Sequence, residues 1–196
     1  MTPVTRSLLI SNIVVFMLQS LGLEPLLVLH LALWPLGSSS IGAGFEPWQL
    51  VSYAFLHGGL THIGLNMLAL WMFGTDVERA LGSRRFLRYY LVCVIAAGLS
   101  QLTVASLAGG DPYPTVGASG GVFGVLLAFA VFWPRRIIML LFPPIPLPAW
   151  LFVSIYALIE LVLGVTGTSA GVAHFAHLGG MVGGWLMLRH WQRPVD

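Results

Sequence analysis

Four polar side chains in an otherwise apolar sequence have the types and spacing to act together. His62 and Asn66 stand i, i+4 in LHGGLTHIGLNMLALW and so share one helix face. Ser119 sits in TVGASGGVFG, where Gly117, Gly120, Gly121 and Gly124 leave it on a nearly bare backbone. His174 and His177 stand i, i+3 in GVAHFAHLGGMVGG, with Gly180 and Gly184 following. A serine with a histidine base is the nucleophile pair of acyl transfer. A second histidine and an asparagine are donors of the kind that line an oxyanion hole, and a serine at a helix N-terminus has backbone N–H groups beside it. Each cluster alone also fits plain helix packing, with interhelical hydrogen bonds for the polar residues and close contacts for glycines spaced by four.

The elements that must carry these groups follow from composition. Of 196 residues, 57% are hydrophobic and 8% charged, with a mean hydropathy of +0.88. That leaves too little polar surface for a water-soluble domain. A membrane crossing takes ~20 apolar residues. Apolar runs and breakers divide the chain into spans at about 7–25, 58–78, 84–107, 116–133, 149–165 and 172–190. The expectation is an all-α polytopic bundle of six helices in one domain, residues 1–196, with no extra span or cytosolic domain. All nine basic residues are arginines, at 6, 79, 84, 85, 88, 135, 136, 189 and 193. Every one falls at a terminus or in the loops 2–3 and 4–5, whereas the opposite loops carry Glu24, Glu46 and Asp111. The positive-inside rule therefore places both termini in the cytoplasm and reads the first span as a retained signal anchor. The basic charge is a topological signal, so no nucleic-acid partner is expected. Two segments resist crossing. Residues 26–57 are apolar but broken by Pro35, Gly37, Gly42, Gly44 and Pro47, which fits a loop lying in the outer interface. Ile137 to Pro148 holds four prolines and reads as a stiff turn rather than a helix.

Topology then brings the polar groups to one depth. Spans 2, 4 and 6 run in the same direction, and His62, Asn66, Ser119 and His177 lie in their first two turns, within ~10 Å of the outer boundary. Gly180 follows His177 by three and shares its face. A glycine face there can press on the glycine strip of span 4 and bring Ser119 to His177. No carboxylate is expected beside His177. Glu160, the one acid well inside a span, lies in the outer half of span 5 and either faces the same hydrated cavity or, the reading preferred, is a neutral or helix-bonded residue, which leaves a Ser–His dyad as the minimal site. No cofactor is implied. The histidines lack an HExxH pattern or a thiolate cluster, and Cys93 is the single cysteine, so no metal site is expected.

In these motifs the sequence resembles the rhomboid family of intramembrane serine proteases. The matching residues are His57, His62 and Asn66 (H-x4-H-x3-N), Gly117-Ala118-Ser119-Gly120 (G-x-S-G), and Ala176-His177 with Gly180 and Gly184. Trp48 and the Glu78…Gly82-Ser83 stretch are similar as well. The resemblance implies Ser119 as nucleophile and His177 as general base. It implies an oxyanion hole from His62, Asn66 and the N–H groups of Ala118 and Ser119, with His57 a structural neighbour and His174 a cavity or loop residue. It implies single-span membrane proteins as substrates, lipids as surroundings and a prokaryotic cytoplasmic membrane as location, with the site opening to the outer face. Span 5 and the loop 166–171 would form the gate. Two positions depart from the family pattern. Gln49 stands where Trp-Arg is frequent, which weakens an anchoring role tied to the arginine. Phe123 replaces a tyrosine, keeping a ring to stack on His177 without its hydroxyl. The competing reading is a non-catalytic rhomboid-like scaffold that binds transmembrane helices without cutting them.

Overall fold

The computed structural model describes residues 1–36, 42–108, 113–140, 143–167 and 173–191. Asp111, Arg193 and the loop 166–171 beyond residue 167 lie outside them. Helix α1 (Pro3–Leu18) passes through a wide π-turn (Gln19–Leu23) into α2 (Glu24–Leu31). The sequence expectation ended this helix near residue 25, and the structure carries it to Leu31. Gly22 absorbs the kink at φ 95°, and Pro25 falls in the first turn of α2, where its missing N–H breaks no helical bond.

The stretch after α2 does not continue as a long helix. It holds a short α3 (Gln49–Ser52) and a 3-10 turn (Tyr53–Phe55). Polar side chains with backbone partners pin it down. The fully buried Gln49 accepts from Trp34 N–H at 3.2 Å and donates to the Gly44 carbonyl at 3.1 Å. Ser52 donates to the Leu31 carbonyl at 2.8 Å, and Leu33 exchanges backbone bonds with Thr115. The Gln49 amide thus anchors the loop without a charge.

Helix α4 (Leu60–Ala69), a π-turn (Leu70–Gly74) and α5 (Thr75–Leu81) form one uninterrupted rod, closed by Gly82 at φ 76°. Helix α6 (Ser83–Ala108) follows at once, then α7 (Ser119–Phe132), α8 (Ala149–Thr166) and α9 (His174–Trp191). Between α7 and α8 the chain pairs Ile137–Met139 (β1) antiparallel with Pro146–Pro148 (β2). This hairpin corrects the all-α expectation in detail. The prolines do exclude a helix, but their fixed φ and the β-branched Ile137 and Ile138 favour extended backbone that can pair. Pro3–Leu31, Ser83–Leu107 and Ala149–Thr166 are each long and apolar enough to cross a membrane, whereas α7 has only 14 residues.

The centre of the molecule is the contact of α6, α7 and α9. Glycines let these helices approach until side chains of one meet backbone of another. A Cβ on Gly180 would collide with the backbone of Gly120, one on Gly183 with Ala96, and one on Gly184 with Tyr89. The Tyr89 hydroxyl in turn donates to the Gly124 carbonyl at 2.7 Å, and Tyr53 donates to the Val94 carbonyl at 2.8 Å. Large apolar side chains such as Leu21, Leu60, Leu107 and Val165 point outward and are exposed. Asn12, His57, Gln101 and Glu160 are buried inside while much of the outer surface is apolar, as a lipid solvent favours.

Helix α1 is held at both ends by buried polar side chains, one from α5 and one its own. At its start, Glu78 of α5 accepts from Val4 N–H at 3.0 Å, Thr5 N–H at 2.7 Å, the Thr5 hydroxyl at 2.8 Å and the Ser83 hydroxyl at 2.7 Å. A carboxylate 73 residues away thus caps orphan donors of the first turn and faces the positive end of the helix dipole. At its end, the Gln19 amide pairs with the backbone of His57, donating to its carbonyl at 3.2 Å and accepting from its N–H at 3.0 Å. Glu78→Gln keeps the volume but turns an NH2 toward donors. The expected cost is about 2 kcal/mol, read as a lower midpoint of thermal unfolding in detergent. An unchanged midpoint would show that the cap contributes nothing.

Candidate active site

Ser119 is the first residue of α7, delivered by a turn whose shape depends on glycine. Gly117 has φ 128° and donates its N–H to the Tyr53 carbonyl at 3.0 Å. A Cβ there would stand 2.7 Å from Cε1 and 2.8 Å from Nε2 of His62, so the bare Cα lets that ring close on the turn. Ala118 is fully buried beneath. The first N–H groups of α7 have no intrahelical acceptor, and they start beside the serine hydroxyl.

His177 lies in the first turn of α9. Its Nε2 is 2.7 Å from Ser119 Oγ, and its ring stacks face to face on Phe123 at 4.4 Å with 4° between the planes. The contact of Gly180 with Gly120 sets this approach, because Gly120 directly follows Ser119 and Gly180 lies one turn beyond His177. Ser119 and His177 are therefore brought together by backbone packing, and Phe123 fixes the ring plane.

On α4, His62 is half-buried and lines the same cavity as Ser119 and His177. Its Nδ1 accepts from Gly58 N–H at 3.3 Å, which leaves the proton on Nε2, the nitrogen nearest Gly117. Asn66 is buried, spends one amide hydrogen on the His62 carbonyl at 2.9 Å, and lines the cavity too. His57 lies behind them, edge-on to His62 at 5.0 Å.

The cavity has a volume of about 670 Å³. It runs from Gly58 and Tyr113 past Ser119, between α4 (Leu65) and α8 (Phe152), to Ile138 on the hairpin. It is lined mainly by apolar side chains, with His62, Asn66, Ser119, Glu160 and His177 among them.

One expectation fails at the site. A carboxylate does stand beside His177. Glu160 is buried, with Oε2 2.6 Å from His174 Nδ1 and 2.8 Å from His177 Nδ1. The His174 contact is a directed hydrogen bond, whereas His177 Nδ1 approaches off its N–H axis at 2.8 Å. His174 is accordingly the carboxylate's partner rather than a loop residue. Glu160 was not legible as such because it projects from a helix that is apolar on all sides, where sequence cannot fix which face turns inward. Glu160, His174 and His177 also present three possible metal donors within 4.8 Å of one another. Tetrahedral zinc spaces its ligands by about 3.3 Å, wider than the 2.6 and 2.8 Å contacts here, so the trio as it stands is closed on itself rather than spread for a metal.

A membrane-type helical bundle with glycine-packed helices around a Ser–His contact defines a class. The Rhomboid domain model matches residues 44–191, and the chain belongs to the rhomboid family. With its long apolar helices it is an integral membrane protein. It is 31% identical over 192 residues to the rhomboid protease GlpG of Yersinia pestis (strain Pestoides F), covering 94% of this chain and 61% of that protein. It is 32% identical over 149 residues to the rhomboid protease GluP of Bacillus subtilis, covering 75% of this chain and 26% of that protein. The mitochondrial rhomboid protein 1 of Saccharomyces cerevisiae is 36% identical over 146 residues, covering 70% of this chain and 40% of that protein. The chain thus spans between about a quarter and three fifths of the length of these relatives.

Proposed function

We propose that the protein is an intramembrane serine protease that hydrolyses peptide bonds in or near the transmembrane segment of single-span membrane proteins. The observation that carries this reading is the 2.7 Å contact between His177 Nε2 and Ser119 Oγ in the wall of a mainly apolar cavity. The relatives named rhomboid proteases support it.

His177 Nε2 takes the proton of Ser119 as Oγ attacks the scissile carbonyl. The carbonyl electron pair moves onto oxygen, where the N–H groups of Ala118 and Ser119, His62 Nε2–H and the second Asn66 amide hydrogen stabilise it. His177 then returns its proton to the leaving amine, the C–N bond breaks, and water hydrolyses the acyl enzyme by the same route in reverse. Gly117, Phe123 and Gly180 hold these groups in register, and His57 supports His62 from behind.

The chain is a single domain with six crossings, the last four on α6, α7, α8 and α9 and the first two on α1–α2 and on the α4–α5 rod. Both termini and the arginine-bearing loops face the cytoplasm, and the site opens to the outer face of a prokaryotic cytoplasmic membrane. On the arginine side, Asp76 binds Arg136 at 2.8 Å and Arg79 at 3.0 Å, tying the α5 end of the rod to the hairpin.

A substrate helix enters between α4 and α8, where the groove is open to the side, and unwinds at Ser119. Cysteines placed at Ala69 and Tyr156 and joined by a short bifunctional thiol reagent are expected to block cleavage of a single-span substrate by at least about tenfold, while reagent on either single cysteine has little effect. Full activity in the crosslinked protein excludes this entry. The central test of the function is cleavage in liposomes by the natural chain against Ser119→Ala and His177→Ala.

A further inference from the structure

Glu160 has no part in the Ser–His chemistry above, yet it is an acid buried in the outer half of an apolar helix, where a carboxylate is costly unless it is paired. Two observations place it against the base. Its Oε2 lies 2.8 Å from His177 Nδ1 and 2.6 Å from His174 Nδ1. One turn further along the same face of α8 stands Gly164, where a Cβ would be 3.0 Å from the Phe175 ring and 3.2 Å from His174 Cβ. A small residue there lets α8 close on the first turn of α9 and deliver the carboxylate to both imidazoles.

We infer that Glu160 is a positioning residue for His177, making a Ser119–His177–Glu160 triad in which His174 is a second claimant for the same carboxylate oxygen. The inference rests on Ser119 and His177 being the reacting pair. To accept the serine proton at Nε2, the neutral His177 ring must carry its own proton on Nδ1. A carboxylate oxygen facing Nδ1 selects that tautomer, because the other would set two lone pairs against each other. When the proton moves from Oγ to Nε2, the ring becomes an imidazolium whose Nδ1–H still points at Glu160. No proton passes to the acid.

His174 explains the off-axis approach. Its Nδ1–H takes the directed bond to Oε2, and its buried Nε2 has no hydrogen-bond partner among the described residues. It holds the carboxylate in place at the cost of drawing it partly away from His177. A small rotation of the Glu160 carboxyl aligns the His177 bond, and His174 limits how fully that happens.

The experiment measures kcat and KM separately on a fluorogenic single-span substrate in detergent, for the natural chain, Ser119→Ala, Glu160→Gln, Glu160→Asp and His174→Asn. Glu160→Gln is expected to lower kcat by about 10- to 1000-fold with KM within about threefold, below the ~10⁴ that the same acid-to-amide change costs a soluble triad. Glu160→Asp, which keeps the charge, should fall between the two. His174→Asn should lose at least tenfold less kcat than Glu160→Gln. If Glu160→Gln cuts within twofold of the natural chain, or if His174→Asn loses as much as Glu160→Gln, the acid is only the partner of His174 and the inference is overturned. Should Glu160→Gln fail to fold, Glu160→Asp decides. A reduced kcat at constant KM supports positioning, and the natural kcat refutes it. Cleavage by Ser119→Ala would instead remove the reading beneath the inference.

Discussion

Ser119→Ala is expected to reduce cleavage of a single-span substrate by at least about a thousandfold, and His177→Ala to do nearly the same. The two losses should not add in the double variant, because nucleophile and base act as one unit and removal of either stops the same proton transfer. The folds should survive. Ser119 is half-buried at a helix start, and the alanine keeps the helix there. His177→Ala leaves a hole beneath Phe123, so its thermal midpoint should drop while that of Ser119→Ala stays close to the natural value. Binding of an uncleaved substrate by Ser119→Ala, measured by pull-down or by fluorescence in liposomes, should persist, since the groove is lined mainly by other residues. If the natural chain binds such helices but never cuts them, the scaffold reading takes precedence.

The second large effect is expected from a residue with no side chain. Gly180→Ala adds one methyl at a point where the backbone of Gly120 already fills the space. No flexible side chain stands there to yield, so α7 and α9 must separate as bodies. Overpacking of this kind costs about 3 kcal/mol, and separation lengthens the contact between Ser119 and His177 that now measures 2.7 Å. The variant should lose both thermal stability and at least about a hundredfold in cleavage, the second because misplacement by 1 Å alone costs that much. Gly167→Ala provides the contrast. No described residue comes within 4 Å of a Cβ there, and the left-handed φ of 64° resists a side chain, so stability should fall modestly and activity should be kept. Equal behaviour of the two would mean that the helix contact does not set the site.

The sequence makes the large features readable because they rest on local rules. Long apolar runs bounded by arginine, glycine and proline give helices at Ser83–Ala108, Ala149–Thr166 and His174–Trp191. The Ser119–His177 pair is also accessible, because Gly180 shares a face with His177 and a small face needs a small partner. What stays hidden depends on rotation and on long-range pairing. Helix α8 is apolar all round, so nothing local turns Glu160 toward α9. The Gln19 amide meets His57 backbone 38 residues away, and the Glu78 cap reaches α1 across 73. Gln49 looks like the loss of an anchoring cation, yet an uncharged amide does the work by hydrogen bonding to Trp34 and Gly44. In each case the residue type signals a buried polar group, and only the fold supplies its partner.

The shortness of α7 has a consequence for the surrounding lipid. Fourteen residues reach about 21 Å along the axis, against a hydrocarbon layer ~30 Å thick. Its neighbours α6 and α8 are longer, with 26 and 18 residues. A bilayer can adapt to such hydrophobic mismatch by thinning locally, at a fraction of a kcal/mol per Å. Thin membranes meet the protein at little expense and bring their headgroups, and the water among them, down toward Ser119. Thick, sterol-like or long-chain membranes resist. Turnover in a series of phosphatidylcholines of increasing acyl length should therefore decline as the chains lengthen, which makes bilayer thickness itself a regulator of where this protein works.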